Sequence, residues 1–289
     1  MSIVLGLVVG AVTVVFLRIA ADGMLRAPAL GRRNYRDHVV PTAGGVLIVF
    51  AVLAVEAGRA LAGALGVGDE PELTLARSLV LFAVFGFGML GFVDDLLGAG
   101  DPARGFRGHV GALTEGRLTT GFLKLFGGAG VAVVLVATPG FASGRRLVVD
   151  AVLIALAANL GNLLDRAPGR AIKASVIAYA PLALVLGTGT VGVALAPVMG
   201  AALGLLGEDL RERVMLGDTG ANVLGAVLGL GVVLGLGQTA RTAVLVVVAG
   251  LNVVAEFVSF SDLIDRVPPL RTLDRLGRRD QPGSQPGLR

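Results

Sequence analysis

The sequence predicts an all-α polytopic membrane protein with about nine transmembrane helices, within a range of eight to ten, and three observations predict it. Hydrophobic residues make up 54% of the 289-residue chain and charged residues only 16%, whereas a soluble domain carries about 25% charged residues. Mean hydropathy is +0.81. Several apolar stretches exceed the roughly 18 residues that mark a spanning helix.

The elements follow in order. The first run, near residues 3–22, begins directly after Met1 and Ser2 with no basic leader, and its length reads as a spanning helix and not as a cleaved signal. Spans near 43–66, 76–97, 119–138, 147–165, 172–188, 190–206, 220–237 and 240–260 follow, each bounded by polar breaks. The sixth and seventh are separated only by Gly187-Thr188-Gly189. Gly6 and Gly10, Gly225 and Gly229, and Gly231 and Gly235 form small-xxx-small pairs, which let helices approach closely in lipid. One transmembrane domain is expected over residues 1–276, and the Gly- and Pro-rich segment 277–289 is expected to be a disordered cytoplasmic tail.

Loop charge sets the expected topology. Counting Arg18 apart, 19 of the 25 basic residues fall in loops after odd-numbered spans or in the tail, and 5 in the even loops. By the positive-inside rule the N-terminus is outside, the tail is inside and the protein is a multi-pass protein of the cell membrane. The basic residues lack interleaved aromatics, so nucleic acid is not an expected partner. Without Cys there is no disulfide, thiolate site or cysteine nucleophile. A metal would bind oxygen or the imidazoles of His38 and His109, which favours a hard cation such as Mg²⁺.

The same parity gathers the unusual polar residues on the cytoplasmic face. Pro41-Thr42-Ala43-Gly44-Gly45 follows the first span, Asp94 and Asp95 close the third, Asn159, Asn162 and Asp165 close the fifth, and Gly217-Asp218-Thr219-Gly220 follows the seventh. A charge in hydrocarbon costs about 2.5–3.5 kcal/mol on insertion scales, so carboxylates at a membrane boundary point to chemistry or transport, or else to a solvated helix end. Asp94, Asp95 and Asp218 together suit a hard cation that recruits phosphate oxygens. Asp218 alternatively caps the eighth span. Asn159, Asn162 and Asp165 share one helical stripe that either lines a ligand pocket or bonds neighbouring helices. Asn252 and Glu256 share a face expected to be structural. Gly44-Gly45 permits close backbone approach. Arg104, Arg107, His109, Arg117 and Lys124 suit anionic phosphates or a membrane surface equally.

These motifs, with Gly91-Phe92-Val93-Asp94-Asp95 and Glu256-x-x-Ser259, occur in the order seen in the polyprenyl-phosphate N-acetylhexosamine-1-phosphate transferases, and the chain resembles that superfamily from about residue 34 to 270. The resemblance implies Mg²⁺-dependent transfer of a sugar 1-phosphate from a UDP-like nucleotide sugar to a polyprenyl phosphate, in peptidoglycan or other envelope polysaccharide synthesis. It implies catalytic roles for Asp94, Asp95 and Asp218, with the metal on Asp218 and Asp95, and substrate contacts from Thr42, Gly44, Lys124, Asn159, Asn162, Asp165 and Arg271. A homodimer is compatible with it.

The departures fall on the donor side. Asp165-Arg166-Ala167-Pro168-Gly169 stands where the family carries Asp-Gly-x-Asp-Gly, so the second acid tied to nucleotide recognition is missing. Met215 takes the place of an aromatic that stacks on uracil in the peptidoglycan enzyme. Arg271-Thr272-Leu273-Asp274 replaces a histidine cluster, and a tenth span is absent. The alternative to an enzyme with altered donor recognition is a catalytically silent relative that binds polyprenyl phosphate or an envelope-assembly partner. A transporter would place its ionisable residues nearer the bilayer midplane.

Overall fold

The computed structural model describes residues 2–67, 73–98, 111–113, 115–116 and 118–279. The helices are α1 Ile3–Ala20, α2 Asp22–Leu25, α3 Val46–Ala64, α4 Leu75–Leu97, α5 Thr120–Ala137, α6 Gly144–Leu164, α7 Arg170–Leu186, α8 Thr190–Leu210, α9 Gly217–Gly235, α10 Gln238–Phe257, α11 Phe260–Arg266 and α12 Pro268–Arg275. Eight of these are long and apolar enough to cross a membrane, and α7, at 17 residues, stands at the sixth predicted span. Their starts are set by short polar side chains. Ser2, Thr74, Thr119 and Ser143 each accept a hydrogen bond from a backbone N–H of the first turn, satisfying donors that have no partner within the helix. After α10 the chain makes only the short α11 and α12, so among the described residues no tenth span follows.

The helix α9 is the central post. About 78% of its apolar window is buried, against 6% for α10, which lies at the periphery. Close packing around α9 requires glycine. A Cβ on Gly225 would lie 2.1 Å from the Ala157 carbonyl oxygen of α6, so the expected small-residue seam is an α6–α9 contact. At the end of the bundle away from the motifs, Arg77 pairs with Glu56 between α3 and α4, and Asp150 of α6 accepts from Arg241 of α10 at 3.0 Å. These buried pairs tie helices together where no motif lies.

At the opposite end, strands β1 Gly31–Arg33 and β2 Val39–Pro41 form an antiparallel hairpin. This hairpin lies beside the start of α9. Met215 donates its N–H to Pro41 O at 2.8 Å, while Gly44 and Gly45 donate to Met215 O and Leu216 O at 2.9 and 2.8 Å. Arg104, Arg107, His109 and Arg117, and residues 280–289 of the expected tail, lie outside the described residues.

Candidate active site

The sequence motifs at residues 41–45, 91–95 and 217–220 converge because their backbones interlock. A Cβ on Gly45 would sit 2.0 Å from the Gly220 nitrogen, so the Gly-Gly pair is what allows α3 to start against the first turn of α9. That turn has no side-chain cap of its own. The cap comes from α4: Asp95 Oδ1 accepts the Asp218 N–H at 3.0 Å, and Oδ2 accepts the Thr219 N–H at 3.0 Å and its hydroxyl at 2.6 Å. The alternative of Asp218 as the capping residue is therefore replaced by Asp95 acting across the helix pair, which leaves the Asp218 side chain out of the cap. Thr42, buried beneath, donates to Asp95 Oδ1 at 3.4 Å. With four donors, the acceptor positions of the Asp95 carboxylate are filled. Arg32 of β1 donates to the carbonyls of Asp95 and Leu96 at 2.7 and 3.0 Å and so closes the C-terminus of α4.

Asp94 and Asp218 face one cationic centre. The Lys124 ammonium of α5 donates to Asp94 Oδ2 at 3.2 Å and also to Asp218 Oδ2. All three side chains are about a fifth to a quarter exposed, sunk enough to strengthen the pairing yet open to a ligand. Beside them lies a cleft of about 290 Å³ lined by Arg33, Tyr35, Thr42, Asp95, Asp165, Arg166, Asp209, Met215 and Asp218 among others. Asp165 caps α6 at its wall. Burial, followed by the negative charges of Asp209, Asp218 and Asp95, pushes its carboxyl well above the usual range, against an opposing Gly217 N–H.

Other expected site residues stand elsewhere. Asn159 donates to Asn252 Oδ1 at 2.7 Å and Asn162 to Asn222 Oδ1 at 3.4 Å, so the two asparagines of the stripe make interhelical hydrogen bonds while its third member, Asp165, lines the cleft. Asn252 is structural as expected, also donating to Leu156 O and Val248 O, whereas Glu256 is exposed. Gly44 serves through its backbone, a Cβ there meeting Val214 at 2.2 Å. Arg271 is exposed on α12 and does not line the cleft. Its neighbour Asp274 is buried and receives Arg170 at 2.9 and 3.0 Å, with Arg278 on the same carboxylate. Burial opposes its ionisation, but the Arg170 hydrogen bond and the Arg170, Arg278 and Lys173 charges outweigh it and hold the carboxyl below the usual range.

Residues that sequence reasoning missed complete the end of the bundle. Asp209, buried, accepts the Gly169 N–H at 2.8 Å and lines the cleft. Asn222, one turn into α9 beyond Asp218, keeps a buried amide nitrogen with no hydrogen-bond partner among the described residues. Its signal was present as a lone amide four residues after Asp218 in an otherwise apolar helix. Glu212 gathers the hairpin residues Asn34, Tyr35 and Arg36, and nothing in the local sequence marks it.

Known proteins resemble the chain over most of its length. No family model matches the chain. It is 31% identical over 289 residues to the phospho-N-acetylmuramoyl-pentapeptide-transferase of Desulforamulus reducens, covering 92% of this chain and 82% of that one. The proteins of the same name from Oceanobacillus iheyensis and Borreliella burgdorferi are 27% and 26% identical, over 78% and 79% of this chain and 72% and 70% of theirs. With that identity sustained over nearly the whole length, the chain belongs to the family of the phospho-N-acetylmuramoyl-pentapeptide transferases, within the polyprenyl-phosphate N-acetylhexosamine-1-phosphate transferase superfamily, as a divergent member.

Proposed function

We propose that this protein transfers a sugar 1-phosphate from a UDP-like nucleotide sugar to a polyprenyl phosphate at the cytoplasmic face of the cell membrane, with the N-terminus outside and the C-terminus inside, in peptidoglycan or related envelope synthesis. The relatives' printed name, a phosphosugar transferase, supports the reaction class. The observation that carries the reading is the bridge of Lys124 between Asp94 and Asp218 beside an arginine-bearing cleft. No three acidic or histidine side chains among the described residues form a metal cage. Two carboxylates turned toward one cationic centre nevertheless fit Mg²⁺, which is usually held by one or two carboxylates, water and substrate phosphates. Asp218 and Asp94 would hold it, while Asp95, its oxygens filled by the α9 N-terminus and Thr42, fixes Asp218 in place. When bound, the metal neutralises phosphate charge and stabilises the departing nucleotide.

The chain's own residues supply alignment and charge, which dominate phosphoryl transfer. Lys124 releases its carboxylate partners to meet a phosphate oxygen, and Arg33 and Arg166 bring positive charge to the cleft. A phosphate oxygen of the lipid bonds to the β-phosphorus of the donor. The bond from that phosphorus to the α-phosphate breaks, and its electron pair leaves with the nucleoside monophosphate. A silent, lipid-binding relative is the second reading, favoured by Asp274, which stands in the replaced histidine cluster and is locked by Arg170. A donor screen separates the two. Purified protein with polyprenyl phosphate and a panel of nucleotide sugars should release nucleoside monophosphate with Mg²⁺ and none after chelation; lipid co-purification with no release for any donor would favour the silent reading.

A further inference from the structure

One side chain of the cleft has no part in the phosphoryl chemistry. Tyr35, on the loop of the β1–β2 hairpin, is 52% exposed and lines the cleft that holds Asp165 and Asp218. Its hydroxyl is committed on both sides, donating to Glu212 Oε1 at 3.0 Å and accepting from Arg36 Nε at 2.8 Å. The neighbours reinforce this setting. Asn34 donates to Glu212 Oε2 at 2.7 Å while its Oδ1 accepts the backbone N–H groups of Arg36 and His38. Arg36 pairs with Glu212 at 3.2 Å, and the Glu212 side chain is only 7% exposed. Three consecutive hairpin residues are thus pinned to one buried carboxylate. With the hydroxyl engaged by Glu212 and Arg36, and the Arg36 guanidinium 5.2 Å over the ring centroid on one side, what Tyr35 offers a ligand is the opposite face of its ring. It is the one aromatic among the described lining residues, Met215 adding apolar surface without a ring.

Resting on the transferase reading above, we propose that Tyr35 is the stacking platform for the base of the nucleotide donor. An isoprenoid tail would need an uninterrupted apolar wall, whereas this lining carries the charged groups of Arg33, Asp95, Asp165, Arg166, Asp209 and Asp218. A flat ring with polar edges fits both demands: its face covers the tyrosine, and its edge finds hydrogen-bonding partners in the wall. Base–aromatic stacking survives changes of base because every base has a π face. A rigid tyrosine fixed from behind presents that surface with little ordering cost.

The chain contains two tyrosines and no tryptophan, and the other tyrosine, Tyr179, is buried in α7, so intrinsic fluorescence isolates the site. Titration of purified full-length protein with UMP, corrected for nucleotide absorbance, should quench tyrosine emission, and Tyr35→Phe should abolish the quenching while keeping UMP affinity by calorimetry within about threefold. Tyr35→Leu should weaken UMP and raise the donor KM by about 5- to 100-fold with kcat and the lipid KM unchanged. Equal thermal midpoints for the Phe and Leu variants would certify the fold. Wild-type emission indifferent to UMP, or Tyr35→Leu binding UMP within about twofold of wild type, overturns the proposal. Turnover with an unchanged donor KM in Tyr35→Leu would sink the stacking role alone. UMP quenching that depends on Tyr35, without turnover of any donor, would uphold the platform and sink the transferase reading.

Discussion

At the scale of single residues, one carboxylate organises the site and another reports on it. Asp95 holds the first turn of α9 through three donors from Asp218 and Thr219. Asp95→Asn turns one acceptor oxygen into a donor facing an N–H, so stability should fall by about 1–3 kcal/mol, read by chemical denaturation in detergent, and activity should fall with it. Asp165 gives a pH signature. Its carboxyl is raised by burial and by Asp209, Asp218 and Asp95, whereas an unfolded aspartate titrates near about 3.9. A raised carboxyl favours the folded state fully below about pH 4 and loses that contribution as pH climbs through the folded value. In metal-free detergent Asp165→Asn should therefore be more stable than wild type at neutral pH, and the difference should vanish toward pH 4; an advantage that grows on acidification would contradict the assignment.

At the scale of elements, close approach and ion pairing decide the packing. The Gly225 position, 2.1 Å from the Ala157 carbonyl for any added Cβ, admits no side chain without separating α6 from α9. Gly225→Val should cost about 1–3 kcal/mol and lower the thermal midpoint. The α11–α12 segment is held by the buried Asp274–Arg170 pair. Removing one partner of such a pair typically costs about 3–5 kcal/mol because the other is left buried and unpaired. Asp274→Asn should therefore expose the chain beyond Phe257 to limited proteolysis while α1–α10 remain intact. Sequence reasoning read the helices well, since apolar length and polar breaks are local properties and each predicted span has its helix. It could not read the pairing of Asp274 with Arg170, 104 residues apart, nor that Asp95 would cap a helix 123 residues later. Partner choice across a bundle is a tertiary property that leaves no local periodicity.

At the scale of the whole molecule, four motifs scattered over the chain meet at one end of the helical bundle, and the ion pairs of Glu56 and Asp150 lie at the other. Parity of the polar clusters foretold the convergence of Asp94, Asp95 and Asp218. It could not tell which carboxylate faces a cation and which serves a backbone, because that depends on the angle between α4 and α9. The absence of Cys allows orientation to be tested cleanly: single cysteines replacing Arg33 and Arg266 should react with impermeant thiol reagents only from the cytoplasmic side, and one replacing Gly66 only from outside, whereas the reverse pattern would invert the topology. In the proposed reaction Asp218 and Asp94 together serve metal-dependent phosphosugar transfer. The most direct measurement is the initial rate of lipid-linked sugar formation in proteoliposomes at saturating Mg²⁺, wild type against Asp218→Asn, with thermal midpoints matched. The variant should lose at least about 100-fold in rate; turnover at the wild-type rate would rule out a role for Asp218 in the reaction.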